Sequence, residues 1–284
     1  MITMEEYATI DFAEFKLMRD YIEKYCGITI RQEKIYLLET RLTSLMVESG
    51  CSNFRQFHTK AVSDTTGKLR DKIIDAMTTN ETLWFRDTSP FVILDEVLVK
   101  RFCEQIKSGE KSKMVIWCAA SSTGQEPYSI AMTIYEHIRT HPGVSADHFE
   151  IIATDISPTV LYIAMAGRYD GFAISRGLGE TMLNRYFIQD GKVWIVKDEI
   201  KRMVQFKKLN LQDSFSPIGK PDIIFCRNVL IYFSDEFKKD ILRRMAAMLR
   251  PHGHLFLGAS ESLINYSAEY EMLSHTRGLY YRVR

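Results

Sequence analysis

The sequence predicts an α/β protein: a parallel sheet covered by helices, preceded by an all-helical unit and interrupted by a small antiparallel insertion. Three observations predict it. From about residue 112 onward, short apolar runs alternate with helical stretches, the pattern of a parallel sheet. Residues 1 to about 77 carry apolar residues at spacings of three and four, with no strand signal. Residues about 168 to 205 break the alternation with a hairpin pattern.

In the N-terminal unit, Phe12, Phe15, Leu17, Met18, Tyr21 and Ile22 recur at helical spacing, as do Tyr36, Leu37, Leu38, Leu42, Leu45 and Met46. Gly27 and Gly50 punctuate these stretches as helix stops. Phe54, Phe57, Leu69, Ile73, Ile74 and Met77 continue the pattern.

In the second part, Val115–Cys118 reads as a strand and Gln125 to about Arg139 as a helix. His141–Gly143 is a break, and Phe149–Thr154 is a second strand. Ser157-Pro158 gives a helix cap followed by proline at the first helical position. Asp222–Cys226 is a buried strand, Ser234 caps a helix through Leu249, and His254–Gly258 returns to extended chain. Gly278–Val283 alternates as a sheet strand does. Within the insertion, Phe187–Val196 carries a central Asp190-Gly191, a hairpin signal.

Composition narrows the functional classes. Of 284 residues, 46% are hydrophobic and 26% charged, as in an ordinary globular protein. No run of about 18 apolar residues occurs, so no membrane-spanning helix is expected. The acidic start, MITMEEYATIDF, lacks the basic-then-apolar pattern of an export signal. The five cysteines are scattered and form no Cys-x-x-Cys, so reduced thiols of a cytoplasmic protein are expected, with no zinc site. A net charge of +1 provides no general pull toward nucleic acid.

The turn Ala119–Ser129, AASSTGQEPYS, joins the first strand to its helix. It has one glycine where dinucleotide binders carry three, and it places Glu126 where a phosphate would sit. Ligands of open α/β sheets lie at the carboxyl ends of the strands. Those ends carry Asp155, able to accept from both ribose hydroxyls of a nucleoside, and Arg227 and Asn228. A ligand with an adenosine, no phosphate and a positive charge fits this set, and S-adenosylmethionine is such a ligand. Glu126 as a first-turn carboxylate favourable to the helix dipole, and Asp155 as a turn residue, stay open on spacing alone.

Five motifs carry a resemblance that covers nearly the whole chain. They are Thr78–Asp87 (TTNETLWFRD), Ala120–Ser129, Ala153–Ile156 (ATDI), Asn210-Leu211 and Phe225–Phe233 (FCRNVLIYF). Together, in this order, the sequence resembles the CheR-type chemotaxis protein-glutamate O-methyltransferases. The resemblance implies a class I S-adenosylmethionine-dependent methyltransferase fold: a Rossmann-like, seven-stranded, mostly parallel sheet. It implies a helical receptor-recognition domain over 1–77 and a methyltransferase domain over 78–284, with a β-subdomain inserted at about 168–205. The implied cofactor contacts are Asn80, Thr82, Arg86, Glu126, Asp155, Asn210, Leu211, Arg227 and Asn228. Arg86 and Tyr232 are the implied catalytic pair, with Arg86 orienting the acceptor carboxylate. The implied reaction converts receptor glutamates to 5-O-methyl esters, leaves S-adenosylhomocysteine, and needs no metal. The implied partners are methyl-accepting chemotaxis receptors, met by a monomer without nucleic acid or membrane insertion.

Two features depart from the family pattern. Its second helix often carries a basic face, whereas Ser44, Leu45 and Val47 are uncharged here, and residues 1–50 hold six Lys/Arg against nine Asp/Glu. Arg41 is the expected contact with the substrate protein. The tight turn at Asp190-Gly191 argues against docking of a receptor C-terminal peptide on the β-subdomain. Trp84 and Phe85 read as core, and no histidine has metal-ligand spacing.

Three other readings compete. A nicotinamide oxidoreductase lacks its Gly-x-Gly-x-x-Gly here. A nucleic-acid methyltransferase would show a basic face or an Asn-Pro-Pro-Tyr-like motif, whereas the corresponding strand end here is Arg227-Asn-Val-Leu, without the prolines. A non-catalytic module that senses the cofactor or docks receptors would not need Asn80, Arg86, Glu126, Asp155 and Asn228 all in place.

Overall fold

A computed structural model describes residues 9–284. Most of the acidic N-terminal stretch read above lies outside the described residues.

Among the described residues, four α-helices build the N-terminal unit: α1 (Phe12–Cys26), α2 (Ile35–Glu48), α3 (Phe54–Ser63) and α4 (Lys68–Met77). The Asp11 side chain accepts from the Glu14 N–H, and Glu14 accepts from the Asp11 N–H, so both orphan donors at the start of α1 are paired. Gly27 ends α1 at φ 75°. Of the apolar residues at helical spacing, Phe15, Met18, Tyr21, Ile22, Leu38, Leu42 and Met46 are buried together with Phe54, Phe57 and Ile73. Phe12 and Tyr36 face outward, because their positions fall beyond the buried stripe.

Arg41, the expected contact with the substrate protein, is engaged within the chain. Its guanidinium points inward: Nη1 donates to the carbonyl oxygens of Met77 (2.7 Å) and Thr78 (3.3 Å), and Nη2 to Thr79 Oγ1 (3.1 Å). The last carbonyls of a helix lack intrahelical partners, and Arg41 supplies them for α4. The side chain therefore anchors the start of the TTNETLWFRD segment and is already engaged within the chain.

The larger sheet holds β1 (Met114–Ala119), β2 (Phe149–Asp155), β6 (Val204–Lys208), β7 (Ile223–Cys226), β8 (His254–Phe256), β9 (Tyr270–His275) and β10 (Gly278–Val283). Their order is β6-β2-β1-β7-β8-β10-β9, with antiparallel pairing only at β8/β10 and β10/β9. The smaller sheet is antiparallel, β3 (Arg168–Asp170) beside β5 (Val193–Val196) beside β4 (Phe187–Asp190). Residues 204–208 pair with β2, so this stretch belongs to the larger sheet.

The continuous apolar runs follow from burial on both faces. Ile116 and Cys118 of β1 lie in one core while Trp117 and Ala119 lie in the other. Ile223 and Phe225 of β7 go with the first, and Ile224 and Cys226 with the second. A helix from Ser89 to Lys107 runs as α5 (Ser89–Ile93), a π-turned segment, and α6 (Lys100–Lys107), and packs with α7 (Gln125–Ile138) on the first face. After β2 comes α8 (Pro158–Ala166), started by Ser157, whose hydroxyl accepts from the Val160 N–H. Short helices α9 (Gly171–Ser175), α10 (Glu180–Tyr186) and α11 (Asp198–Lys201) accompany the small sheet. Finally α12 (Asp235–Met248), capped by Ser234, covers the second face.

The hairpin turn sits one residue later than the sequence reading centres it. Asp190 pairs with Val193, so the central residues are Gly191 and Lys192. Gly191 takes φ 61°, a positive value at the first central position, where glycine is the residue that adopts it at no steric cost.

His254 gives the fold a pH signature. It is buried at the start of β8, stacked on Tyr280, and burial pushes its pKa down to about 4, with Arg282, Arg101, Lys111 and His252 adding to the effect. Its folded value lies below the unfolded one, so the unfolded chain binds more protons between pH about 6.5 and 4. Stability from this group is full above that window and falls as pH drops through it, by on the order of 3 kcal/mol. His254→Phe, measured by urea unfolding from pH 7 to 4, is expected to flatten that slope.

Candidate functional site

The cleft lies where strand order reverses, between β2, β1 and β7, at the carboxyl ends of the strands. It measures about 940 Å3 including solvent at its mouth. Asn80, Thr82, Arg86, Glu126, Asp155, Asn210, Leu211, Arg227, Asn228 and Tyr232 all line it. Residues separated by up to about 150 positions are thus brought to one cavity. Among the expected site residues, Arg41 stays outside its wall.

The turn after β1 folds against the end of β2. Ala120 (φ 58°) and Ser122 (φ 50°) take left-handed backbone, which costs non-glycine residues of order 1 kcal/mol each. What holds them there is Asp155: its Oδ2 accepts from the Ser122 N–H (2.8 Å) and its Oδ1 from the Ser157 N–H (3.0 Å). Each carboxylate oxygen has a second lone pair left for a ligand hydroxyl. Burial raises the pKa of Asp155, and the backbone N–H groups oppose that rise. Ser122 Oγ donates to the Asn80 carbonyl (3.0 Å), tying the TTNETLWFRD segment to the same turn.

That segment is itself strained. Phe85, Asp87 and Thr88 have φ of 49°, 67° and 51°. Several contacts hold it. The Trp84 N–H donates to the Arg176 carbonyl, and the Trp84 indole to the Ala173 carbonyl, both at 3.0 Å. The Phe85 N–H donates to Ser129 Oγ (3.1 Å), and Arg227 Nη2 donates to the Arg86 carbonyl (2.7 Å). Trp84 is fully in the core, and Phe85 packs against it, as the sequence reading expects. Gly177 packs so closely on the Trp84 carbonyl that a Cβ there would collide with it. Gly177→Ala is therefore expected to lower the melting temperature by several degrees and to loosen this segment, read by limited proteolysis near Arg86.

Arg227, an expected cofactor contact, lines the cleft and is also paired within the chain. Its side chain is 1% exposed. Nη1 donates to Glu126 Oε2 and Nη2 to Asp87 Oδ2, both at 2.7 Å, besides the Arg86 carbonyl. The guanidinium is thus committed to linking the end of β7, the first turn of α7 and the Arg86 segment. Glu126 is correspondingly paired rather than free. Burial raises its pKa, while Arg227 and, more distantly, Arg86 lower it. Arg86 itself makes no ion pair with its neighbour Asp87. Among the described residues its Nη1 donates to the Glu81 carbonyl (3.2 Å), and Arg86 lines the cleft.

The N-terminal unit contributes a wall. Cys26 and Ile28 line the cleft. Asn210 Nδ2 donates to the Tyr25 carbonyl (2.8 Å), the Thr29 N–H donates to the Tyr232 carbonyl (2.9 Å), and Ile28 pairs with Phe233 in an isolated bridge. Sequence reasoning missed this wall, along with Asp87, Ser121 and Glu261. Asp87 and Ser121 carried a signal, each lying inside a recognised motif.

The cleft fits S-adenosylmethionine by its donor set. Ser121 Oγ is buried at its wall with no hydrogen-bond partner among the described residues. Asp155 offers acceptors for a ribose, and the paired Glu126 keeps one oxygen for a cationic group. Among the described residues, no lysine lines it to meet a phosphate. Among the described residues, no three His, Cys, Asp or Glu side chains gather to hold a metal. No described helix is long and apolar enough to cross a membrane.

Comparison with known proteins agrees with this geometry. Residues 80–279 match the family described as CheR methyltransferase, SAM binding domain, and residues 13–78 match CheR methyltransferase, all-alpha domain. Chemotaxis protein methyltransferase 1 of Pseudomonas aeruginosa is 45% identical over 96% of this chain and 98% of its own. Chemotaxis protein methyltransferase Cher2 of Pseudomonas putida is 43% identical over 97% and 98%. Chemotaxis protein methyltransferase 1 of Vibrio cholerae is 42% identical over the same shares. With both parts of the chain matched and relatives aligned almost end to end, this chain belongs to the CheR methyltransferase family.

Proposed function

We propose that this chain transfers the methyl group of S-adenosylmethionine to glutamate side chains of methyl-accepting chemotaxis receptors, giving 5-O-methyl esters and S-adenosylhomocysteine. The observation that carries the reading is the convergence on one cleft of Asp155, Glu126, Asn80, Thr82, Asn210, Leu211 and Asn228, with Arg86 and Tyr232 beside them. The relatives' names supply the receptor class.

When bound, the cofactor supplies a methyl group already activated on a sulfonium. The chain's work is then to bind and align. Asp155 would hold the ribose hydroxyls, Ser121 Oγ would meet a polar group of the cofactor, and Glu126 would favour its positive charge. Arg227 opposes the burial-driven rise in the Glu126 pKa and holds the carboxylate in place. The acceptor glutamate, with an ordinary pKa of about 4.3, is ionised at neutral pH and needs no general base. Alignment of two reactants can contribute roughly 7–11 kcal/mol to lowering a barrier. Arg86 is the aligning group, because a planar guanidinium fixes the plane of a carboxylate. Tyr232 lines the wall beside Asn228 and Val229 and would orient the acceptor through its hydroxyl.

We assign residues 1–77 to receptor recognition and 78–284 to methyl transfer, in a monomer working in the cytoplasm without nucleic acid. Peptide mass spectrometry of a receptor cytoplasmic fragment after reaction tests the acceptor. A single methyl on glutamate is the expected result, and methyl on lysine, histidine or cysteine contradicts it. Arg86→Ala is expected to lower kcat about ten- to a hundredfold, the loss of one charge-assisted contact. Arg86→Lys should recover little, because a point charge does not replace the fork.

A further inference from the structure

We propose that Glu261 is a positioning residue for the cofactor site, acting through the backbone of Asn228 and Leu230. This inference rests on the cofactor reading above. Glu261 does not line the cleft. Its Oε2 accepts from the Asn228 N–H (2.7 Å) and the Gly258 N–H (2.8 Å), and its Oε1 accepts from the Leu230 N–H (2.9 Å). One carboxylate thereby gathers three backbone donors from two segments, the turn after β7 and the loop after β8.

Those donors matter because of where they sit. Asn228 takes left-handed backbone, φ 58°, and lines the cleft. Leu230 opens the short 3-10 turn Leu230–Tyr232, so the same carboxylate pairs the first free N–H of the turn that presents Tyr232. Gly258 makes the close approach possible: a Cβ there would stand 2.5 Å from Asn228 Nδ2 and 2.9 Å from the Asn228 nitrogen. Charge-assisted hydrogen bonds to backbone N–H groups are stronger than neutral ones, so the brace is stiff. The Glu261 charge also reaches the site, since it adds to the rise in the Glu126 pKa that burial begins.

A brace that served only stability would leave cofactor affinity alone. The test uses the full chain, S-adenosylhomocysteine as probe, and Glu261→Gln, which keeps the shape but cannot accept three donors as a carboxylate does. The expected result is a Kd for S-adenosylhomocysteine raised about tenfold or more, a matching rise in cofactor KM, and an unchanged receptor KM. A Kd equal to that of the wild type in a variant with a lowered melting temperature overturns the proposal. Amide spectra of the wild-type protein supply an arm free of any folding loss. The Asn228, Leu230 and Gly258 N–H resonances should move on adding the probe, and their standing still contradicts the coupling. If the wild type fails to bind the probe at all, it is the cofactor reading that falls.

Discussion

Arg227→Met is expected to destabilise the protein by about 3–5 kcal/mol, the cost of leaving a buried carboxylate without its partner. The side chain removed is 1% exposed and holds Glu126, whose side chain is 13% exposed. Asp87, a third exposed, adds little to that figure because solvent screens it. The deficit should depend on pH. Without Arg227, burial raises the Glu126 pKa further above its unfolded value, opposed only by the more distant Arg86. A group with a raised folded pKa supports the fold below the unfolded value, near 4.5, and loses that support as pH rises. The variant should therefore lag the wild type less at pH 5 than at pH 8. Adding Glu126→Gln to Arg227→Met should recover part of the loss, because the unpaired charge is gone. Urea unfolding of the four proteins closes a double-mutant cycle that measures the pair. Additive losses would contradict the ion pair.

Asp155→Ala carries the largest expected effect on ligand binding. Two hydrogen bonds from a ribose to a carboxylate are worth about 3 kcal/mol or more, which is roughly a hundredfold in Kd. The same substitution leaves the N–H groups of Ser122 and Ser157 without their acceptor, so the turn after β1 should also lose its left-handed geometry. Calorimetry with S-adenosylhomocysteine measures both parts, because Asp155→Asn restores one backbone acceptor without the charge. The asparagine variant should fall between wild type and alanine. An alanine variant that binds within about threefold of wild type would remove Asp155 from the cofactor site.

Much of the fold was legible because burial on two faces writes itself into sequence. The runs Val115–Cys118 and Asp222–Cys226 are apolar at every position but the first of the latter, since one set of alternate residues faces each core. The caps at Ser157 and Ser234 and the stops at Gly27 and Gly50 were equally local. The strands β6, VQFKK, and β9, YEMLSH, were not legible. Both lie at the two edges of the sheet, where half the residues meet water and the pattern is short and mixed. The ten cleft residues were named from motifs, and they do converge. What the motifs did not disclose is which side chains face inward to other protein groups. Arg227 and Glu126 are 101 positions apart, and Asn228 and Glu261 are 33 apart. Arg41 and the Met77 carbonyl are 36 apart. Pairings of that kind are set by packing of whole elements, and no local spacing encodes them.

The central claim is carboxyl methylation in this cleft. The most direct measurement incubates the protein with methyl-labelled S-adenosylmethionine and receptor-containing membranes, treats the product with alkali, and counts volatile methanol. Methyl esters release their label under alkali, whereas N- and S-methyl groups retain it. The account predicts volatile label with the wild type and none above background with Asp155→Ala. Label that resists alkali, or equal volatile label from the Asp155→Ala protein, would contradict it.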